Sequence, residues 1–136
     1  MKRVLIVLIA CGLFITLACK KSKDAPPLTV ANVAGGYKFI AEVTTSPDSV
    51  VTDAYAQYQP CSKDDIWNFN ADNSLVVTDA GVTCDPSDGW SSTWSLDGQN
   101  ITVAGVNGTV TKWDGSTLEV KLLLDDGTKD KMTFKK

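Results

Sequence analysis

Residues 61–84, CSKDDIWNFNADNSLVVTDAGVTC, decide the fold. Trp67 and Phe69 alternate with Asn68 and Asn70, the period of an extended strand with one apolar face. Leu75, Val76 and Val77 form the return strand. Between the two, Ala71, Asp72 and Asn73 carry turn chemistry, because Asp and Asn adopt positive φ or bond their own backbone. If Phe69 faces Leu75, then Trp67 faces Val77, and both cross-strand pairs are apolar. Cys61 and Cys84 stand at almost equal distances from this turn, where a disulfide would tie the open end of the hairpin. Closing a loop of about two dozen residues stabilises a fold by roughly 3 kcal/mol in the chain-entropy account, and it limits register slip. Two unpaired buried thiols are the alternative.

Upstream of the hairpin, Gly35 to Val43 alternates and places Tyr37, Phe39, Ala41 and Val43 on one face of a first strand that ends at Thr44 to Pro47. Val51, Tyr55 and Tyr58 then recur at helical spacing, with Asp48 or Ser49 as cap and Pro60 as stop. A short helix or an ordered loop crossing one end of the sheet is expected for residues 44–60, an irregular loop being the other reading.

Downstream, Asp85 to Gly89 is a turn cluster, followed by further hairpins. A two-residue turn at Asp97 and Gly98 sets Trp94 opposite Ile101 and Ser92 opposite Val103. A three-residue loop from Val106 to Gly108 pairs Ile101 with Trp113, and since Val110 then falls on the other face, a bulge is expected in that strand. Asp114 and Gly115 turn the chain into Leu118, Val120, Leu122 and Leu124. A last loop, Asp125 to Gly127, pairs Leu122 with Asp130, Val120 with Met132 and Leu118 with Phe134. Sequential antiparallel strands with short turns leave exposed edges unless they close, so an all-β up-and-down meander of about eight strands forming a barrel is expected.

The chain starts with Lys2 and Arg3, then an apolar run from Val4 to Ala18 that is too short to span a bilayer core of about 20 helical residues. This is the layout of an export signal over residues 1–18, ending before Cys19. Leu8, Ile9, Ala10, Cys11 also fits the local pattern of an acylated cysteine, but the apolar region ahead of Cys11 would then be only Val4 to Ala10. With Cys19 acylated by palmitate-type chains, each buried methylene adds about 0.8 kcal/mol of membrane affinity. Residues 19–33 then read as a lipidated tether, opening with the charged and proline-containing Lys20 to Pro27, and residues 34–136 as the barrel domain. From Ala25 onward eight lysines against fifteen acidic residues leave a net charge of −7, which makes nucleic acid a poor partner.

The sequence contains no histidine, so the commonest general base and metal ligand is missing. Asp64 with Asp65, and Asp125 with Asp126, are the only adjacent carboxylates offered as a dyad or calcium loop. Neither has the ligand spacing of an EF-hand, and Asp125 to Gly127 is accounted for as a turn. No enzyme activity, no cofactor and no metal are expected. Trp67, Trp94 and Trp113 alternate with polar residues as core tryptophans do, a glycan-stacking platform being the minority reading, and Trp90 is expected at the surface.

Cys19, the opening Gly35, Gly36, Tyr37, the series Cys61, Asp64, Asp65, Phe69, Asp72, Cys84, and the later Trp94, Ser95, Leu96 and Leu118, Val120, Leu122 together resemble the small lipocalin-like lipoproteins of Gram-negative bacteria. Tyr37 stands where lipocalins proper carry the Trp of their first-strand signature. The resemblance implies a barrel with an apolar interior able to hold one small hydrophobic ligand, and an anchor in the outer membrane through Cys19, on either its periplasmic or its surface face. Tyr37, Trp67, Trp94 and Trp113 would offer interior wall, with Tyr55 and Tyr58 at a mouth covered by Thr44 to Gln59. The alternative is a non-enzymatic interaction or structural module of the cell envelope, its core filled by these same side chains.

Overall fold

In this computed structural model, residues 24–136 are described; residues 1–18, which read as an export signal, and Cys19 lie outside them. The strands, in chain order, are β1 (Gly35–Thr45), β2 (Val51–Asp53), β3 (Ile66–Phe69), β4 (Ser74–Thr78), β5 (Trp90–Asp97), β6 (Asn100–Val103), β7 (Val106–Trp113), β8 (Thr117–Leu123) and β9 (Lys129–Lys135). Two single-turn helices, α1 (Val30–Val33) and α2 (Pro60–Lys63), and a 3-10 turn over Tyr55–Gln57 complete the elements. From β3 each strand pairs antiparallel with the next, and β1 joins β3 on one side and β9 on the other. The sheet therefore closes as an eight-stranded barrel of β1 and β3 to β9. Among the described residues only β2 stands outside the ring, as a short hairpin on the far end of β1. Among the described residues no helix is long and apolar enough to cross a membrane.

The central hairpin has the expected register: Phe69 faces Leu75, Trp67 faces Val77, and Cys61 is bonded to Cys84. Asn73 takes the positive φ of the turn, and Asp72 accepts a hydrogen bond from the Ser74 amide at 2.9 Å. The β8–β9 register also matches, with Leu122 opposite Asp130 and Leu118 opposite Phe134. The bulge expected in β7 lies between Val110 and Lys112.

Three sequence readings are corrected. The β5–β6 turn is Gly98 and Gln99, not Asp97 and Gly98, so Trp94 pairs with Val103 and Leu96 with Ile101. A shift of two residues leaves every side chain on its face, and the apolar pattern therefore does not distinguish the two registers. The β6–β7 turn is Ala104 and Gly105, both at positive φ, and Ile101 faces Gly108 instead of Trp113. Asn107 and Gly108 carry the strongest short turn signal in this region, yet both lie inside β7. Finally, residues 44–60 do not form one helix. Val51 lies in β2 and is 66 % exposed, and Pro60 opens α2 instead of ending a helix, its missing N–H being tolerated in a first turn.

The barrel axis is filled by side chains, among them Phe39, Phe69, Phe134, Leu75, Trp94 and Val120, all buried. One end is closed by residues 26–34, all but Ala34 from the stretch that reads as tether. Leu28, Val30 and Val33 pack on the core, the Tyr37 hydroxyl donates to the Val33 carbonyl, and Lys136 Nζ donates to the carbonyls of Asn32 and Ala34. The opposite end, formed by the end of β1, residues 46–63 and the loop 79–89, is the mouth.

Candidate functional site at the barrel mouth

β1 sets the chemistry of the mouth through an irregularity. Its register against β9 shifts between Phe39 and Ala41, so Ile40 points outward and the alternation changes phase. Glu42, not Ala41 or Val43, is the residue carried into the buried row, correcting the regular alternation read from the sequence. Across the β1–β9 seam Glu42 faces Met132 and Thr44 faces Asp130, which places two carboxyl side chains in the same inner layer. Glu42 is 8 % exposed and Asp130 7 %, and one oxygen of each is buried without a hydrogen-bond partner.

Burial, and then the charge of Glu42 and hydrogen bonding to it, raise the Asp130 carboxyl to about 7. Asp130 therefore retains its proton to near-neutral pH, as expected where two buried carboxyls adjoin. Burial first, then hydrogen bonding to Glu42 and its charge, push the Tyr58 hydroxyl up to about 12.

Aromatic rings roof this acidic floor. Tyr55 and Tyr58, from the 46–59 connection, meet Phe39 edge-on at 5.3 and 5.6 Å between centroids, and Trp67 and Phe134 pack on the same ring. Edge-to-face contacts of this kind add about 0.5–1.5 kcal/mol each beyond area burial. The segment is tied back by the Ala54 amide, which donates to the Glu42 carbonyl at 3.1 Å. An open cleft of about 260 Å³ is lined by Glu42, Ala54, Gln57 and Tyr58.

The six aromatic residues named from the sequence fall into two groups. Tyr55, Tyr58 and Trp67 meet at the mouth. Tyr37, Trp94 and Trp113 belong to the closed end: Tyr37 bonds Val33, the Trp94 indole donates to the Asn70 carbonyl at 2.9 Å, and the Trp113 indole to that of Pro26 at 3.0 Å. Trp90 is partly exposed and stacks edge-on against Trp67 at 5.2 Å. Glu42 and Asp130 were not singled out from the sequence, although the β8–β9 register already sets Asp130 beside Leu122. The missing signal was the bulge.

A second acidic group lies beside the disulfide. Asp65, Asp79 and Asp88 each present a carboxylate oxygen within 4.8 Å of the others. Burial, and then the charges of Asp88, Asp79 and Asp64, push the Asp65 carboxyl up, against a hydrogen bond from the Ala80 amide that lowers it.

A closed eight-stranded meander, a plugged end and a loop-covered mouth agree with a sequence-family model described as Lipocalin-like domain, which matches residues 34–123. The chain belongs to this family. Among curated proteins and solved structures, none matches it. The lipocalin-like architecture makes the mouth the place to look for a ligand, since small barrels bind at their open ends.

Proposed function

We propose that this lipocalin-like domain is a membrane-anchored, extracytoplasmic binding protein that takes a small, largely apolar molecule at its mouth and performs no chemistry on it. The observation that carries this reading is the aromatic plug over an acidic floor: Tyr55 and Tyr58 close on Phe39 directly beside the buried carboxyls of Glu42 and Asp130. If the plug swings aside, the freed rings offer apolar surface, and the carboxyl pair accepts hydrogen bonds from a donor or cationic end of the ligand. The cleft is slightly smaller than the roughly 300–1,000 Å³ of ordinary small-molecule pockets, so entry requires that movement. The absence of histidine from the sequence supports binding over catalysis.

Anchoring through an acylated Cys19 after an export signal is supported by the layout of residues 1–19 and by the Cys61–Cys84 bridge, which suits an oxidising compartment. The outer membrane of a Gram-negative cell is the site we favour. Asp24 to Leu28 reach the barrel at its closed end, so a tether there leaves the mouth facing away from the lipid. A second reading, an envelope interaction or structural module, draws on the filled barrel axis.

The test is titration of the detergent-solubilised chain with apolar fluorescent probes of several sizes. Binding near one to one, with affinity altered severalfold by Tyr55→Ala or Tyr58→Ala, is the expected result. If no probe binds the parent or either variant, the interaction-module reading replaces this one. For the anchor, Cys19→Ser should move the protein to the soluble fraction without acyl chains; acylation lost in Cys11→Ser instead would relocate the cleavage site.

A further inference from the structure

Charge is unevenly placed on this barrel. The connections round the mouth, residues 46–65, 79–89 and 124–130, carry ten aspartates and two lysines, the acidic row Asp65, Asp79 and Asp88 beside the disulfide among them. The turn 124–130 belongs to this end because Lys129 pairs with Thr45, the last residue of β1. From Ala25 onward the remainder of the domain carries six lysines and five acidic residues, so the whole negative excess sits at the mouth. A cleft in such a field draws in cations and repels anions.

The same sign reaches the interior. Glu42 lines the cleft, Glu42 and Asp130 are both more than nine-tenths buried, and Glu42 Oε2 and Asp130 Oδ1 have no hydrogen-bond partner. Among the described residues the ion pairs are Lys112 with Asp114 and Lys131 with Glu119, and the lysines held over rings are Lys63 on Tyr55 and Lys136 on Tyr37 and Trp113. No lysine therefore neutralises the pair. A buried, ionised carboxylate without a partner is strongly unfavourable, and a cation supplies the missing partner. While Asp130 holds its proton, Glu42 supplies the negative charge, which suits a monovalent cation better than a metal ion that gathers several hard oxygens. The roof accepts cations as well: Lys63 Nζ already lies 4.9 Å from the centre of the Tyr55 ring, and the neighbouring Tyr58 ring lines the cleft.

We infer that the molecule taken at the mouth is an organic ammonium, a protonated amine carried on an apolar ring or chain, with its nitrogen between the Glu42 and Asp130 carboxyls and the Tyr58 ring. The inference rests on the mouth being a binding site and adds the chemical class of what it binds. An ammonium donates to the two oxygens that lack partners, and charge-assisted hydrogen bonds of this kind are the strong ones. Ala54 and Gln57 complete the lining without a basic group, so a fatty-acid carboxylate would meet like charge with nothing to pair it.

The experiment titrates the full chain in detergent at neutral pH, reading heat, with three naphthalene compounds of similar shape and different charge: naphthylmethylamine, naphthylmethanol and naphthoate. The amine should bind at least about tenfold more tightly than the alcohol, and naphthoate more weakly than either. Added salt should weaken the amine and not the alcohol. Glu42→Gln alone leaves Asp130 able to ionise, so the decisive variant carries Glu42→Gln and Asp130→Asn together. It keeps the shape, removes buried like charges and should melt no lower than the parent, while bringing amine and alcohol within about threefold of each other. Asp97→Asn, at an exposed turn of the closed end, should keep the parent's preference for the amine. Equal binding of amine and alcohol to the parent, tighter binding of naphthoate, or an amine preference that persists in the double variant overturns the inference and leaves an apolar site standing. If none of the three binds, the binding reading and this assignment of ligand class fall together.

Discussion

The indole N–H of Trp113 donates to the carbonyl of Pro26 at 3.0 Å, joining the end of β7 to a segment 87 residues earlier in the chain. This bond, with buried Val33 and the Lys136 ammonium held by two carbonyls, makes residues 26–34 part of the folded unit. Trp113→Phe keeps a ring but removes the donor and should cost about 1 kcal/mol. Val33→Ala should cost about 2 kcal/mol, most of the burial energy of a valine side chain. Urea denaturation measures both, and a neutral result for Val33→Ala would show that residues 26–34 are not cooperative with the barrel.

The Cys61–Cys84 bridge closes a loop with a sequence separation of 23 residues around β3 and β4. By the chain-entropy argument its removal should lower stability by about 3 kcal/mol, within the usual range of 2–5. Because Phe69, Leu75 and Trp94 pack independently of it, the paired Cys61→Ala, Cys84→Ala variant should keep the barrel, as judged by an unchanged far-ultraviolet circular dichroism spectrum. Denaturant titration of that variant, with the parent alongside, checks the magnitude.

Gly108 is glycine because two strands need its missing side chain. A Cβ there would lie 2.3 Å from the Lys121 carbonyl oxygen and 2.7 Å from Leu122 Cδ2, so β7 and β8 would have to separate. Gly108→Ala should therefore cost about 3 kcal/mol, the upper range for overpacking a tight site. Gly105→Asn provides the contrast. That position is at φ +84 with open space around it, and Asn is among the few residues that tolerate the left-handed region, so a loss of about 1 kcal/mol or less is expected. Thermal denaturation of the two variants should rank them in that order.

Gly108 also shows where the sequence stops being legible. Hairpins whose faces and turn residues agree, such as Phe69 with Leu75 and Val120 with Met132, were readable because a one-residue slip would expose the core. The β6–β7 turn was not, because Asn107 and Gly108 carry turn chemistry while serving an interstrand approach, and Ala104 takes a positive φ that its residue type does not advertise. At the mouth, Tyr55 and Tyr58 could be named from their position in the longest connection. Glu42 could not, since a bulge changes strand phase without leaving a mark in the alternation. The acidic row was hidden for a different reason: Asp65 and Asp79 follow from the hairpin register, but Asp88 joins them only after the long loop returns as β5.

Asp130 makes the mouth sensitive to pH in a stated direction. Its carboxyl is raised from 3.8 to about 7 in the folded protein, so between those values the folded state holds a proton that the unfolded chain releases. Stability from this group is fully present below about pH 4 and is lost as pH rises through about 7. Melting temperature should therefore increase as pH is lowered from 8 to 5, and Asp130→Asn should raise stability at pH 8 while flattening that slope. The groups facing Asp130 are Glu42 and Tyr58; Tyr58 ionises only at about 12 and plays no part in this window. Proton loss also adds negative charge beside the cleft, so a probe with a cationic end should bind more tightly above pH 7 than below it, and a neutral apolar probe should not share the trend. Titrating the two probes at pH 6 and pH 8 separates these effects: equal pH dependence would mean that the acid pair acts on the fold alone, whereas a trend confined to the cationic probe, and lost in Asp130→Asn, places the pair in contact with the ligand.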